Sequence, residues 1–246
     1  MDKYQLFHQL HHQHGGFIIA NAWDLSSAQF IQAAGAKAVA TTSWGIAASL
    51  GLADGENISF KTQLALVKSL TEHLHIPLSV DIESGYSNDP LKISENVLAL
   101  ARLGVVGINI EDSDKDTNAL RSTEQQCTII SEIKKVLNEN GFGGLFINAR
   151  TDTYFVSDFP FQATLERAKA YQDAGADGLF VPGLTNIEHI TSLANTIDMP
   201  LNVMAMSNFN SAKAAFAGGA KRFSLGNSLY DLVGNTIKTS LTQIEN

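Results

Sequence analysis

The chain has 246 residues, 44% hydrophobic and 17% charged; that is ample for a large core and ordinary for a soluble protein. Its formal net charge of −8 argues against a generic nucleic-acid or anionic-membrane binder, while leaving room for a local basic pocket that takes a small anion. The one cysteine, Cys127, allows no internal disulfide, which suits a cytoplasmic location, and no apolar run reaches the length of a membrane span.

In chain order, MDKYQLFHQLHHQHGG lacks the apolar stretch of a signal peptide and predicts an amphipathic helix. His8, His11 and His12 share one of its faces. No acid or cysteine accompanies them, so they are expected to be solvated and not metal-bound. Eight strand-like runs follow: 16–24, 38–44, 77–83, 106–112, 145–152, 178–183, 200–205 and 222–226. Each is short and apolar, or rich in β-branched and aromatic residues, at its start. Helical spacing fills the intervals. In LKISENVLALARLG, Ile93, Val97, Leu100 and Ala101 fall at i, i+4, i+7 and i+8. Gly35, Gly175 and the pair Gly218–Gly219 stand where helices should end, before the next strand. No linker or low-complexity block divides the chain. Eight strand–helix units in this length predict a single (β/α)₈ barrel over residues 1–246. An open doubly wound sheet is the runner-up, weakened because no GxGxxG follows the first strand.

In a barrel of this kind the chemistry gathers at the C-terminal ends of the strands. Polar residues concentrate there: Asn21 and Asp24 after strand one, Asp81 and Glu83 at strand three, Asn109, Glu111 and Asp112 at strand four, Asn148, Arg150 and Asp152 at strand five, and Asn202 on strand seven. Asp81 and Glu83 sit two apart, as do Asn109 and Glu111, and Asn148 and Arg150. With strand parity each pair faces one way, into the barrel mouth. Three converging acids, Asp81, Glu83 and Glu111, would repel one another at low dielectric unless a cation compensates them. Carboxylates with water favour Mg²⁺, with Mn²⁺ as an alternative. Arg150 offers a fixed fork for a carboxylate or phosphonate. Any one of these acids, taken alone, reads as a salt bridge or helix cap; three acids and an arginine in phase read as a site.

TTSWGIAASLGLADGE (41–56), VDIESGY (80–86), GINIED (107–112), INARTD (147–152), GLFVPG (178–183) and LNVM (201–204) together resemble the isocitrate lyase/phosphoenolpyruvate mutase superfamily, in its mutase-like branch. The resemblance implies a Mg²⁺-dependent lyase-type enzyme. Such an enzyme makes or breaks a C–C or P–C bond at C3 of a small 2-oxoacid or its adduct, through an enolate. It also implies a homodimer or homotetramer in which a C-terminal helix is exchanged between subunits. By motif, Asp81 matches the central metal-binding aspartate, and Glu83 and Glu111 match acids that hold the metal largely through water. Asp54 matches a loop aspartate near metal and substrate. Arg150 matches a substrate-binding arginine. Ser43, Trp44 and Gly45 match the segment that grips the pyruvyl carboxylate and keto oxygen, and Asn202 in LNVM is counted with the substrate contacts. Isocitrate and 2-methylisocitrate lyases carry a KKCGH or KRCGH motif on the loop after strand four, whose cysteine is the general acid. Here that loop is EDSDKDTNALRSTEQQ, without the motif. Thr117, Asn118 and Ser122 are the polar candidates on it, and Cys127 reads as a buried apolar residue of the next helix.

Two other readings stay open at this point. One is a phosphate-binding barrel isomerase or aldolase using the glycines of FAGGAKRFSLGNSLY (216–230). The other is a binder of 2-oxoacids that keeps the fold without catalysis.

Overall fold

The computed structural model describes residues 2–115, 117 and 119–244. In chain order its elements are α1 (Lys3–His12), β1 (Phe17–Ala22), α2 (Leu25–Ala33), β2 (Val39–Thr41), α3 (Ser43–Ser49), α4 (Phe60–His73), β3 (Leu78–Asp81), α5 (Pro90–Arg102) and β4 (Gly107–Glu111). A two-residue hairpin, β5 (Ser113–Asp114) and β6 (Ala119–Leu120), precedes α6 (Thr123–Glu139). Then come β7 (Phe146–Arg150), α7 (Thr153–Val156), α8 (Pro160–Asp173), β8 (Gly178–Phe180), α9 (Ile187–Thr196), β9 (Leu201–Met204), α10 (Ala212–Ala217), β10 (Arg222–Ser224) and α11 (Ser228–Ile244). Eight parallel strands close in the order β1-β10-β9-β8-β7-β4-β3-β2. Each barrel strand lies within one of the eight runs read from the sequence.

Local chemistry explains the boundaries. Asp24 and Ser122 make reciprocal capping boxes at the starts of α2 and α6. Thr42, Ser59, Asn186 and Ser211 cap α3, α4, α9 and α10, and Pro90 and Pro160 open α5 and α8. At the other ends, Gly35, Gly175 and Gly219 take positive φ, as their place before a strand predicted.

Register decides which side chains share the barrel interior. Asp81 pairs with Asn109, Asn109 with Asn148, and Glu111 with Arg150. On the far side Arg222 pairs with both Phe17 and Asn202. The alternate residues Val80, Ile108, Ile110, Ile147 and Ala149 pack outward against the helices in the main core. The parity predicted from the pairs 109/111 and 148/150 is therefore realised.

The N-terminal end of the barrel is sealed by α1. Phe7, Leu10 and His11 of that helix are buried, Phe7 beside Phe17, Phe146 and Val106 in a separate core cluster. The solvated histidine face expected from the sequence is thus corrected at His11. Its ring stacks on Phe146 with centroids 4.0 Å apart and meets Phe17 edge-on at 4.8 Å. Aromatic surface beneath the barrel is a better place for this ring than water. Its Nδ1 lies 2.8 Å from the Phe7 carbonyl, which can only accept, so Nδ1 carries the proton.

Burial, chiefly, and the nearby Arg222 guanidinium hold His11 well below the ordinary histidine pKa, so it is neutral in the fold. The unfolded chain binds a proton below about pH 6.5 that the fold resists, so stability falls as pH drops through that value. The expected loss is about 1.4 kcal/mol per pH unit until the folded-state pKa is reached. Urea midpoints at pH 7.5, 6.0 and 5.0 test this: His11→Phe should flatten the acid limb. An equally steep limb in the variant would assign the acid sensitivity elsewhere.

Candidate active site

A pocket of about 250 Å³ opens at the C-terminal mouth of the barrel, where this fold places its chemistry. Asp81, Asn109, Arg150, Asn21 and Ser224 reach it from the barrel strands, and Ser43, Trp44, Asp54, Gly226 and Asn227 from loops and helix starts. Phe155, Phe180 and Met204 supply an apolar side.

Asp81 ends β3. Its N–H donates to Thr41 Oγ1 at 2.9 Å, and its carbonyl accepts from Gln63 Nε2 at 2.6 Å, so two neighbouring elements fix the strand end. Ser43 Oγ donates to Asp81 Oδ2 at 3.2 Å. Burial, partly opposed by Arg150, raises the Asp81 pKa, and the charge of Asp54 adds to the rise.

Glu83 reaches the site differently from the expectation. The strand stops at Asp81, and Glu83 adopts a left-handed φ of 51°. Its alignment with Asp81 comes from a tight turn and not from strand parity. Glu56 and Tyr86 also have positive φ, at 60° and 61°. Non-glycine residues in this region cost on the order of 1–3 kcal/mol each, so surrounding contacts must hold them. They do: Glu56 Oε1 accepts from Ser84 N (3.0 Å), Ser84 Oγ (2.6 Å) and Tyr86 N (2.9 Å), while Glu56 N donates to Glu83 Oε2 at 2.7 Å. The loops after β2 and β3 are locked together beside the pocket. Gly85 shares this turn at φ 105°, and a Cβ there would lie 2.7 Å from Ile93 Cγ2.

Arg150 is held as a planar fork. Nε and Nη2 donate to Asp152 at 2.7 and 3.0 Å, and Nη1 pairs with Glu111 Oε2 at 2.9 Å. One N–H on each terminal nitrogen remains for a ligand. The guanidinium also lies 5.8 Å from the Phe180 ring centroid. Asp152 in turn accepts from Ser113 Oγ at 2.7 Å.

The sequence reading did not assign Lys115. From the loop after β4 its ammonium contacts Glu111 and lies 3.6 Å from Glu83 Oε2. Even so, Glu83 is pushed up to about 8 by burial, with Asp81 and Asp54 adding repulsion, and Glu111 to about 7, again chiefly by burial. The acids crowd one another beyond what the local cations offset.

The other expected residues fall as follows. Glu83 and Glu111 flank the pocket without lining it, and Gly45 lies behind it, its N–H taken by Thr42 Oγ1. The N–H groups of Ser43 and Trp44, in the first turn of α3, have no intrahelical acceptor. Asn202 does not line the pocket; its Oδ1 accepts from Ser224 Oγ, so it acts one layer below. Thr117 N donates to Asp114 and Ser122 caps α6, while Asn118 lies outside the described residues. Cys127 is half-buried on α6, its thiol raised chiefly by burial. The Gly226 N–H is engaged by Asn21 Oδ1 at 3.0 Å, so it is not presented to a phosphate.

Among the described residues no three His, Cys, Asp or Glu side chains converge as a ready metal-ligand cage. The donor set is two pocket-facing carboxylates, Asp81 and Asp54, with further acids beside Asp81 and only oxygen ligands. That suits a hard cation that keeps most of its water, as Mg²⁺ does.

A closed (β/α)₈ barrel with acids, an arginine and a helix start around one mouth pocket is the arrangement in which barrels of this fold carry their active sites. The sequence profile of the phosphoenolpyruvate phosphomutase family matches residues 7–245, and the chain belongs to that family. An uncharacterised protein of Mycobacterium tuberculosis is 37% identical over 216 residues, which are 87% of this chain and 80% of the relative. A solved structure from Burkholderia cenocepacia, assigned provisionally as a phosphonomutase, is 34% identical with a TM-score of 0.92, covering 98% of this chain and 99% of the other. The 2-methylisocitrate lyase of Salmonella typhimurium is 28% identical over 74% of this chain and 63% of its own length.

Proposed function

We propose that this protein is a lyase- or mutase-type enzyme that acts at C3 of a small 2-oxoacid or its adduct through an enolate, with Mg²⁺ as cofactor. The observation that carries the reading is that Asp81, Arg150 and the first turn of α3 all face one small pocket. Asp81 would hold the cation directly, and Glu83 and Glu111 would support it through water. When bound, the cation would supply Lewis-acid stabilisation of the negative charge that develops on the C2 oxygen.

The chain's own groups do the rest. The two free N–H bonds of Arg150 and the N–H groups of Ser43 and Trp44 orient a carboxylate. Asp152 and Glu111 keep the Arg150 fork in one plane, so little is reorganised on binding. Trp44, Phe155, Phe180 and Met204 limit water beside the reacting carbon. Asp54 is exposed on the loop after α3 and is the acid best placed to move with it. The phosphate-binding alternative is disfavoured because the Gly226 N–H is already bonded.

Purified protein should turn over at least one of oxaloacetate, phosphonopyruvate, phosphoenolpyruvate or 2-methylisocitrate. That activity should vanish with EDTA and return with Mg²⁺. Metal-independent turnover would refute the cofactor, and tight oxalate binding with no turnover on a wider panel would favour a non-catalytic binder.

A second copy of the chain is the proposed partner. Ile18, on the outer face of β1, is 52% exposed, and α11 carries no buried residue while presenting Leu232, Ile237, Leu241 and Ile244 to solvent. An exposed outward residue on β1 and an apolar helix seated only at its first residues, where Leu229 packs on the core and Tyr230 meets Trp23 and Trp44, match an exchange of α11 between subunits. Leu232→Glu with Ile237→Glu should convert a dimer or tetramer into a monomer by light scattering. An unchanged mass would exclude this surface. Among the described residues no helix is long and apolar enough to cross a membrane.

A further inference from the structure

Arg222 is fully buried inside the barrel below the pocket. Bulky branched residues commonly fill this layer, and an arginine there is costly unless paired. Other cations at this end have partners: Arg150 has Glu111 and Asp152, Lys115 has Glu83 and Glu111, and Arg167 has Asp112. Arg222 forms no ion pair among the described residues. Its single hydrogen bond is a long one, Nη2 to Asn109 Oδ1 at 3.4 Å, and its Nε and Nη1 have no partner within the described protein.

That one contact fixes an orientation. A guanidinium can only donate, so the Asn109 atom facing it must be the amide oxygen. The same oxygen accepts from Asn148 Nδ2 at 2.8 Å. Asn109 lines the pocket, and its Nδ2 makes no hydrogen bond to the described residues. The amide is therefore held with its oxygen down and its N–H₂ free for the pocket side.

We propose that Arg222 is a positioning residue: through Asn109 it presents an N–H donor at the pocket floor, and the site takes an oxoacid whose carboxylate or keto oxygen reaches that floor. This rests on the oxoacid reading above and specifies where one acceptor of that substrate sits. Burial lowers the Arg222 pKa to about 9, so it stays charged at neutral pH. A charge kept for binding and not for stability gives a distinctive signature, since its removal should weaken the ligand without weakening the fold.

The test is calorimetric titration of the full-length protein with oxalate in the presence of Mg²⁺, with the thermal midpoint of each ligand-free variant. Arg222→Met should keep or raise the midpoint and weaken oxalate by about tenfold or more. Asn109→Leu should weaken it similarly, and the double variant no further than Asn109→Leu alone, because both remove one donor. Arg222→Lys, which keeps a buried cation of shorter reach, should fall between. Wild-type affinity in Arg222→Met or Arg222→Lys, additive losses in the double variant, or a fall in the midpoint with affinity unchanged in the folded protein would each overturn the positioning role. In those cases the oxoacid reading stands. A wild-type protein that fails to bind oxalate overturns both.

Discussion

Replacing Asp81 with alanine is expected to lower kcat/KM by on the order of 10³-fold, the scale on which losing one preorganised electrostatic group acts. The same change should abolish Mg²⁺ binding, read directly by calorimetry or by Mn²⁺ electron paramagnetic resonance. Asp81 is the acid that both lines the pocket and is braced by Thr41, Gln63 and Ser43. Glu83 and Glu111 stand to its sides and already contact Lys115, so they cannot take its place without rebuilding that ion pairing. The fold itself should tolerate the substitution. Burial raises the Asp81 pKa, so the ionised carboxylate costs stability at neutral pH where the unfolded chain carries it freely. Without added cation the variant should melt no lower than wild type. A variant that retains turnover and Mg²⁺ affinity would remove Asp81 from the site, and one that loses both only by unfolding would make the test uninformative about chemistry but contradict the stability expectation.

The largest stability effect is expected one residue beyond Glu111. Asp112 is completely buried, and its carboxylate accepts from Asp152 N at 3.0 Å, Arg167 Nη1 at 3.1 Å and Tyr171 OH at 2.8 Å. Arg167 Nη2 donates in turn to the Arg121 carbonyl, and Arg121 Nη1 to the Ser84 carbonyl, both at 2.9 Å. This chain of bonds ties the loops after β3, β4 and β7 to α8. Asp112→Ala leaves the arginine and the tyrosine hydroxyl without their acceptor, a loss of about 3–5 kcal/mol. In a chain of this size that corresponds to a fall in Tm of roughly 6–20 °C. Thermal unfolding followed by circular dichroism reads it, and a shift of less than 2 °C would show that water replaces the carboxylate.

The second prediction falls in the stretch GINIED, whose two faces have separate roles. Asn109 and Glu111 point into the barrel, whereas Asp112 has left the strand and anchors the loop outside it. Alternation made the first two legible. Asp112 was visible only as one more acid, because its partners Arg167 and Tyr171 lie 55 and 59 residues away. Lys115 was missed for a related reason. The loop EDSDKD reads as a mixed-charge solvated turn, and its lysine becomes significant only when Glu83 is brought beside Glu111. Glu83 shows the limit of periodic reasoning in the other direction. Glu83 is placed beside Asp81 in the sequence on the assumption of an extended chain, while the backbone turns left-handed there under the grip of Glu56.

By itself the sequence determined the eight strand–helix units, the helix caps and stops, and the concentration of acids and Arg150 at strand ends. These follow from interactions within a few residues and from the period-2 and period-3.6 rules. Tertiary structure alone decided what occupies the barrel interior. Arg222, in the run RFSLG, looked like a strand residue of no special note. Closure of β10 onto β1 and β9 buries it across from Asn109, 113 residues earlier in the chain. Burial and unmet hydrogen-bonding capacity are properties of that closed shape. No local pattern encodes them, because a guanidinium is costly or harmless according to what surrounds it in space.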